Sequence, residues 1–367
     1  MDYKIHFTNK YAYIRTLLVV LTGLLLVSFC GCTEKSPAIS GQTVAPATDE
    51  AGGTPGIGNH TPIISENQVI RFTDINFENA VREAIGKKVE SVYVSDVQKL
   101  TTFSARVCGI SNISEIMYFT NLEYLDLRGN HITNFMPIGN LHNLKYLDIS
   151  KNFSVMSGNK EKGLDLTPIQ NLVLLETLIA SGNLITDITP LSGLICLKEL
   201  DLQNNRLTDV SPLASCTALE SLNLSSNYGI NSTTMNEQGI SSIACVSGMT
   251  KLHTLLVGNN VLTSLAGVEG LTELKYVDIT QNYVMDLSPL AGCTQLDTLI
   301  AQNNNLLDLS GLAHHPTIRE LDVQVNRIHY VQEILTMEAL EIFRYEGNQI
   351  MDYRPIDQFE KELGNHG

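Results

Sequence analysis

A pattern of apolar residues that returns about every twenty-two residues constrains this chain more than any other feature. One copy runs from Leu197 to Leu213, with leucine at positions 1, 4 and 6, asparagine at 9, aliphatic residues at 11 and 14, and Pro-Leu at 16 and 17. Copies begin at Leu100, Leu122, Leu144, Leu175, Leu197, Leu219, Leu252, Leu274, Leu296, Ile318 and Leu340. A fixed period of this kind is the signature of a solenoid, in which successive copies stack and share one core.

The spacing inside one copy predicts a short strand. Leu200 and Leu202 alternate with Glu199, Asp201 and Gln203, so the leucines point to one side and the polar residues to the other. One such strand cannot bury its apolar side alone, so we expect eleven stacked strands with a continuous core. Leucine-rich helices are a poor alternative, because asparagine and proline recur where a helix tolerates neither well.

Asparagine at position 9 predicts a buried polar column. An amide carries both donors and acceptors, so it can satisfy the backbone groups of its own tight turn and of the next coil. Only the first repeat departs from the pattern, with Cys108 at this position. The column consists of Asn130, Asn152, Asn183, Asn205, Asn227, Asn260, Asn282, Asn304, Asn326 and Asn348.

With these residues the chain resembles the leucine-rich-repeat proteins, and among them the bacterial internalin type with its 22-residue repeat. The matching stretches are Leu122 to Ile132, Leu144 to Asn152 and the Pro-Leu pairs that begin at Pro190, Pro212 and Pro289. The resemblance implies an α/β solenoid: a right-handed horseshoe with a parallel concave β-sheet, short 3₁₀ segments on the convex side and a helical N-terminal cap. It also implies that the protein binds another macromolecule.

The N-terminus is typical of a targeting segment. Residues 1–31 hold a basic start and the apolar run Leu17–Phe29, which is typical of a secretory signal peptide. Cys32 follows Gly31, which resembles the lipobox of bacterial lipoproteins and implies acylation of the Cys32 thiol. Cys30 is a poorer candidate because Phe29 precedes it directly. An uncleaved anchor is disfavoured, because the apolar run is shorter than the ~20 residues of a spanning helix.

The rest of the chain divides into four predicted segments. Residues 32–65 are rich in small and polar residues and predict a flexible tether. Residues 66–99 predict an N-terminal cap with a helix from Asp74, as N-cap, to about Ile85. The repeats occupy 100–359, and residues 360–367 form a C-terminal cap or tail, which belongs to a short helix predicted from Ile356 to Leu363.

Two repeats are longer than the others. The third contains extra residues within 153–163, and the sixth within 228–239. Both insertions follow the asparagine turn, so both should protrude from the same edge of the solenoid. Insertions in repeat proteins often lie on the binding face, but surface loops also tolerate added length at little energetic cost. The sequence favours neither interpretation.

Composition and motifs argue against several classes of function. A formal net charge of −15 disfavours nucleic acid as a ligand. The seven cysteines form no metal-binding spacing, and no motif for a nucleophile, a metal or a phosphate is present. We therefore expect no enzyme, no metal and no cofactor. The aspartates at position 5 are interpreted as a solvated face; they are Asp126, Asp148, Asp201, Asp278 and Asp322.

The concave face remains as the candidate site. Tyr124 and Tyr146 share position 3 of adjacent repeats, so their rings should stack about 5 Å apart, and tyrosine and arginine are enriched in binding hot spots. Exposed apolar residues on the same face also suggest a partner, although tyrosine and isoleucine simply suit strands. The candidate ligand-binding residues are Arg106, Tyr124, Arg128, Lys145, Tyr146, Lys151, Ile179, Leu256, Tyr276 and Ile300, with Ile342 as a further exposed apolar residue.

These features predict a lipid-anchored binding protein that recognises a protein ligand on its concave face, as an adhesin does. An envelope scaffold that binds a protein of its own cell is the alternative, and a polysaccharide ligand also stays open. We expect a monomer at the outer face of the bacterial cytoplasmic membrane, or in the outer membrane or periplasm of a diderm cell. The membrane would be contacted through the N-terminal lipid only.

Overall fold

A parallel sheet of eleven strands forms the body of the protein. The structure, a computed structural model, describes residues 65–152, 163–230 and 237–365, all of which belong to one compact unit, Gly53–Gly367. The strands of the sheet are β1 (Thr102–Ser104), β2 (Tyr124–Asp126), β3 (Tyr146–Asp148), β4 (Thr177–Ile179), β5 (Glu199–Asp201), β6 (Ser221–Asn223), β9 (Thr254–Leu256), β10 (Tyr276–Asp278), β11 (Thr298–Ile300), β12 (Glu320–Asp322) and β13 (Ile342–Arg344). Strands β7 (Gly229–Ile230) and β8 (Glu237–Gln238) pair with each other outside this sheet. The predicted solenoid is thereby confirmed.

Every strand covers positions 3 to 5 of its repeat and pairs with the same positions of the next repeat. Leu178 of β4, for example, faces Leu200 of β5, which faces Leu222 of β6. All three leucine side chains are buried. Residues of the same position therefore form rows that run across the whole sheet, and a row can be read as one surface.

Short 3₁₀ helices lie on the convex side and present their apolar residues to the core. Leu213, at position 17, is fully buried in this way. Proline at position 16 suits the start of such a helix, because its fixed φ is already helical and it lacks the N–H that would stay unbonded there. The 3₁₀ helices are Ser114–Tyr118, Met136–Asn140, Thr167–Ile169, Thr189–Gly193, Ser211–Ser215, Ala244–Gly248, Ser288–Gly292, Ser310–Leu312 and Gln332–Thr336.

The asparagine column connects each coil to the coil before it. The Nδ2 group of Asn205 donates to Leu202 O in its own turn (2.9 Å) and to Ala180 O in the preceding coil (3.2 Å). Its Oδ1 atom accepts from the N–H groups of Asn183 (3.1 Å) and Ile185 (3.0 Å). The predicted bond within the turn is therefore confirmed, but the prediction of a bond to the next coil is wrong for this amide, which bonds the preceding coil.

The residue at position 8, just before the asparagine or Cys108, has a left-handed backbone in all eleven repeats. The apolar pattern of the repeat did not predict this conformation. Glycine and asparagine adopt a positive φ readily, whereas a β-branched residue such as Val107 or Val325 does so at a cost. Glycine or asparagine at six of these positions was the available signal. The residues are Val107, Gly129, Lys151, Gly182, Asn204, Ser226, Asn259, Gln281, Asn303, Val325 and Gly347, with φ between 53° and 79°.

A helix precedes the first coil, where the sequence predicted it. Helix α1 (Ile75–Ile85) has Asp74 as N-cap and ends at Gly86, whose φ is 69°. The Asp74 carboxylate also accepts hydrogen bonds from the N–H groups of Ser111 (2.8 Å) and Asn112 (3.0 Å). Burial would raise the pKa of Asp74, but these hydrogen bonds outweigh it and lower the pKa. One carboxylate thus joins the cap to the first repeat.

Aromatic contacts complete both ends of the core. The Phe77 ring of α1 lies 5.9 Å from the Phe103 ring of β1. At the other end helix α3 (Arg354–Asn365) places Phe359 edge-on against Phe343 of β13, at 6.4 Å between ring centres. This helix extends across the predicted end of the repeats at residue 359. Another short helix, α2 (Val94–Val97), lies between α1 and β1.

Several predictions fall outside the described residues. They are the signal peptide, the Cys32 lipid site, the tether up to residue 64 and the extra residues 153–162 of the third repeat. Among the helices that the structure describes, each is too short or too polar to span a bilayer. The five cysteines of the described residues are free thiols.

Candidate ligand-binding face

The residues predicted to bind a ligand lie in rows on the concave side of the sheet or at its border. Because positions 4 and 6 point into the core, positions 3, 5 and 7 form the opposite face. The rows are position 3 for Tyr124, Tyr146 and Tyr276, position 5 for Ile179, Leu256 and Ile300, position 7 for Arg106 and Arg128, position 2 for Lys145 and position 8 for Lys151.

The structure divides these residues into separate groups. We call the group in repeats 1 to 3 the N-terminal patch; it consists of Arg106, Tyr124, Arg128, Lys145, Tyr146 and Lys151. A second group lies on β9 to β11, where Leu256 and Ile300 flank Asp278 in register and Tyr276 stands two residues before it. Ile179 of β4 lies between these groups. Ile342, on β13, is 41% exposed at the far end of the sheet.

Two stacked tyrosines are the centre of the N-terminal patch. Tyr124 and Tyr146 pair in register across β2 and β3, and their rings stack with centres 4.3 Å apart and planes 11° apart. Each ring therefore has one face covered by the other ring and offers its edge and hydroxyl group to a ligand. Burial raises the pKa of Tyr146, with a further contribution from the neighbouring Tyr124.

Arg106 holds this pair from one side. Its Nε atom donates to the Asp126 carboxylate at 2.5 Å, and its NH2 group donates to the Tyr124 hydroxyl at 3.3 Å. Asp126 itself is fully buried. The interpretation of position 5 as a solvated face is thus wrong for Asp126, Asp148 and Asp322, because the side chains of the flanking rows and of the neighbouring strands cover it.

A line of carboxylates continues along position 5. Asp148 accepts from both the N–H (2.9 Å) and the hydroxyl (2.6 Å) of Ser150, yet burial, together with the charge of Asp126, raises its pKa. Asp201 has its pKa raised to about 6, chiefly by burial and further by the charges of Asp148 and Glu199. The concave face therefore has an acidic floor beneath its aromatic and basic side chains.

The border of the concave face at position 2 carries charges that alternate in sign. Lys145 pairs with Glu123 at 2.7 Å, and Lys198 pairs with Glu176 at 2.6 Å. These pairs are about half exposed, so each contributes little to stability. Lys145, one of the candidate ligand-binding residues, is thus partly neutralised by Glu123. The complete row is Thr101, Glu123, Lys145, Glu176, Lys198, Glu220, His253, Lys275, Asp297, Arg319 and Glu341.

Two cations of the N-terminal patch keep their charge available. Within the described residues no carboxylate lies within 4.0 Å of the charged nitrogens of Arg128 or Lys151. Lys151 is exposed at the left-handed position of its coil. These two side chains are on neighbouring coils, because the N–H of Gly129 donates to Ser150 O at 2.9 Å. They can therefore act together on an acidic group.

The insertion of the sixth repeat forms a hairpin at one edge of the solenoid. Strands β7 (Gly229–Ile230) and β8 (Glu237–Gln238) pair antiparallel. The Glu237 carboxylate accepts hydrogen bonds from the hydroxyls of Tyr228 (3.2 Å) and of Tyr283, two repeats further on (2.6 Å). The bond to Glu237 raises the pKa of Tyr283 to about 12. The hairpin is therefore anchored to the body of the protein at its base.

The described residues offer little for a metal ion. No group of three or more His, Cys, Asp and Glu side chains among them is placed to hold one. The thiols of Cys245 and Cys293 have their pKa values raised to about 11 by burial. They are therefore protonated at neutral pH and are poor nucleophiles or ligands.

Comparison with known proteins supports the same architecture. The family described as leucine-rich repeats (2 copies) matches residues 120–157, 173–215 and 197–238. A comparison with curated proteins finds no match. Among solved structures, an internalin (inlF) from Listeria monocytogenes is 26% identical, with a TM-score of 0.56 over 79% of this chain and 94% of that one.

Two more distant structures share the fold. A leucine-rich-repeat protein of Leptospira interrogans has a TM-score of 0.61 at 19% identity, covering 74% of this chain and 72% of that one. The plant peptide hormone receptor RGFR1, solved in complex with RGF2, has a TM-score of 0.56 at 20% identity, covering 71% of this chain and 41% of the receptor. At these identities the similarity concerns the fold alone.

Proposed function

We propose that this chain, whose repeats and fold are similar to those of leucine-rich-repeat proteins, recognises a protein ligand through the concave face of its sheet, at the N-terminal patch. The observation that carries the proposal is the preassembled cluster of Arg106, Tyr124 and Tyr146. Its side chains already hold each other in place, so binding costs little conformational entropy. The fold, shared with an internalin at 26% identity, supports the internalin type of repeat protein.

The chemistry of the patch favours a protein over a sugar. A sugar ring stacks on the face of an aromatic ring, and each ring of Tyr124 and Tyr146 has at most one face left for such stacking, because the other face is covered by its partner. The ring edges, the two hydroxyls and the cations Arg128 and Lys151, which have no ion-pair partner among the described residues, instead suit acidic and hydrogen-bonding side chains of a protein. A polysaccharide is the second candidate, favoured only by the presence of the tyrosines.

Recognition rather than catalysis is the proposed activity. The nearest buried carboxylates, Asp126 and Asp148, are satisfied by an arginine and a serine and lie under the surface. Together with the lack of a catalytic motif in the sequence, this supports a binding protein, and we propose that it works as a monomer without a cofactor.

The N-terminal segments place this domain at the cell surface in our proposal. Residues 1–31 act as a signal peptide, Cys32 carries the lipid, and residues 32–65 are the tether that lifts the cap and repeats off the membrane. The protein is then exposed at the outer face of the cytoplasmic membrane, or in the outer membrane or periplasm of a diderm cell. Labelling of cells with a radioactive fatty acid tests this: Cys32→Ala should abolish the label and Cys30→Ala should retain it, and a label that survives Cys32→Ala contradicts lipidation there.

The patch is tested by affinity capture with purified protein. Wild type is compared with Tyr124→Ala/Tyr146→Ala and with Tyr353→Ala, a control that removes an exposed tyrosine at position 14 of the last repeat, away from the concave face. The purified proteins serve as baits, and they are incubated with extracts of candidate host surfaces and with the cell's own envelope extract. We expect the concave variant to bind the partner at least about tenfold more weakly and the control to bind as wild type.

The source of the captured protein separates the two forms of the proposal. A host protein supports an adhesin, and an endogenous envelope protein supports a scaffold. If the concave variant retains its partner with unchanged affinity, the N-terminal patch is not the site.

A further inference from the structure

One row at the edge of the solenoid changes its chemistry along the chain. Position 12 follows the buried aliphatic residue of position 11 and faces solvent just after the asparagine turn. In the last four repeats it holds Met285, Leu307, His329 and Met351. In six of the seven earlier repeats it holds a hydroxyl residue; these are Ser111, Thr133, Thr186, Thr208, Ser241 and Thr263.

Three apolar residues of this row are exposed within four successive coils, and half-buried His329 stands between two of them. Met285, Leu307 and Met351 are 58%, 51% and 69% exposed. The N–H of His329 donates to Leu307 O (3.3 Å) and the N–H of Met351 to His329 O (3.0 Å), so these coils lie side by side. Tyr330, 52% exposed, extends the surface and points its hydroxyl to the Met351 sulfur at 3.7 Å. We call these five residues the edge stripe.

The fold itself does not need apolar side chains there. Threonine or serine occupies the same position in six other coils, and in four of these, those of Thr133, Thr186, Thr208 and Thr263, the asparagine turn has the same length as in the last four coils. Single exposed hydrophobic residues are ordinary on protein surfaces, but three of them together with Tyr330 within four successive coils make a cluster, and exposed apolar clusters mark interaction sites. The edge stripe is separate from the concave face, since position 12 lies beyond the turn that ends each strand region.

The spacing and the charge of the stripe define its partner. Neighbouring coils of a parallel sheet are about 5 Å apart, and a helix with apolar residues at i, i+3 and i+4 presents one about every 5 Å along its axis. Position 13, beside the stripe, carries the exposed carboxylates of Asp286 and Asp308, in a protein of net charge −15. We infer that the edge stripe docks an amphipathic α-helix of a partner protein, apolar on one face and flanked by lysine or arginine.

This inference is independent of the function proposed for the concave face. A docked helix would run across the coils, along the edge, and would leave the strands and the N-terminal patch uncovered. The protein could then hold one partner on the concave face and another at the edge. The hairpin anchored on Tyr283 stands at the same edge, beside Met285, and would border one end of the docked helix.

A designed peptide tests the inference directly. The probe is a fluorescent peptide of about 16 residues with leucine at i, i+3, i+4 and i+7 and lysine on both flanks, long enough to cross four coils. Two control peptides carry the same residues in scrambled order and glutamate in place of lysine. Binding to the full chain is followed by fluorescence anisotropy, for wild type and for Met285→Thr/Leu307→Thr/Met351→Thr, which installs the residue of the earlier repeats. Tyr124→Ala/Tyr146→Ala is the matched control on the other face.

We expect the basic amphipathic peptide to bind wild type and the concave variant equally, and to bind the threonine variant at least about tenfold more weakly. Both control peptides should bind wild type at least about tenfold more weakly than the probe. Equal binding of the scrambled peptide would overturn the helical partner, and equal binding of the acidic one would overturn the charge. Unchanged binding to a threonine variant with wild-type circular dichroism would overturn the site. Self-association of wild type in sedimentation, lost in that variant, would assign the stripe to a second copy and overturn the proposal.

Discussion

The Arg106 guanidinium donates to a carboxylate oxygen of Asp126 that lies wholly beneath the surface, although Arg106 itself is about half exposed. The two residues belong to adjacent coils and lie under the edge of the stacked tyrosines. Asp126 also accepts a hydrogen bond from the N–H of Arg128 at 3.1 Å. The ion pair therefore has two effects: it stabilises the first coils, and it fixes the position of Arg106 in the candidate site.

Removal of this arginine should destabilise the first coils. We expect Arg106→Ala to lower the free energy of unfolding by about 1–2 kcal/mol, since it leaves a buried carboxylate without its ion-pair partner while half of the arginine was already solvated. Arg128→Ala, on the same row but without an ion pair, should change it by less than about 0.5 kcal/mol. Urea unfolding followed by circular dichroism measures both. Equal effects of the two substitutions would show that the ion pair does not support the fold.

Asp201 should make the protein less stable as the pH rises through 6. Its folded pKa is raised to about 6, whereas an unfolded aspartate titrates near ~3.9. Above about pH 6 the folded state holds a buried charge, and on lowering the pH to about 4 the folded carboxyl takes up a proton first, so stability is gained.

Asp201→Asn should therefore stabilise the protein at pH 7 by about 1–3 kcal/mol, and the gain should shrink toward pH 4. Asparagine keeps the acceptor for the N–H of Gln203, as Asn223 does for Ser225 one coil later. Urea unfolding at pH 4, 5, 6 and 7 measures the gain, and Asp278→Asn is the matched exchange on the same row. A gain that does not vary with pH would contradict the role of the carboxyl charge.

His315 should act in the opposite direction. It is buried at position 20, in a column where Cys293 and Met337 stand in the neighbouring coils, and burial lowers its pKa. Above about pH 6.5 His315 is neutral in the folded and the unfolded protein, and its burial costs no stability. As the pH falls from there through the folded pKa, the unfolded state takes up the proton first, and the free energy of unfolding decreases. Thermal unfolding between pH 5 and 7.5 should thus show a smaller loss at acid pH for His315→Met than for wild type. His142→Met, at an exposed site, is the control, and a parallel loss in all three proteins would exclude His315 as the cause.

The left-handed backbone at position 8 offers a stabilising substitution. Val325 has a φ of 56° and an exposed side chain, so Val325→Asn should raise the free energy of unfolding by about 0.5–1 kcal/mol. Asn303 occupies this position one coil earlier with a φ of 54°. Val173→Asn, at an exposed valine without positive φ, should give no such gain in the same urea titration. A destabilised Val325→Asn would mean that the valine makes a contact worth more than the strain.

Most of the fold was readable from the sequence because the repeat imposes one register on every coil. Once Leu200 and Leu202 were placed in the core, the strands, the asparagine column and the stacking of Tyr124 on Tyr146 followed from the period. The predicted spacing of about 5 Å compares with the 4.3 Å of the structure. The helix that begins after Asp74 was equally clear, since capping is a local property.

Burial on the concave face was not readable in the same way. Alternation correctly directed Asp126 and Asp148 away from the core, but it does not state what their neighbours cover. Arg106 folds over one of them, and the tyrosine rings stand beside both. The charge of Lys145 is partly neutralised by Glu123 one coil earlier. This pairing becomes visible only when position 2 is compared across the repeats.

The asparagine column also gives the solenoid a mechanical polarity. Each amide reaches back to the coil before it, and the last one, Asn348, bonds Val323 O and Tyr345 O while its own coil has no successor in the repeat. A force applied at the C-terminal end would therefore meet one set of amide bonds at a time and peel the coils off singly. A force across the sheet would load many rows at once, so the same protein should be compliant along one direction and stiff along the other.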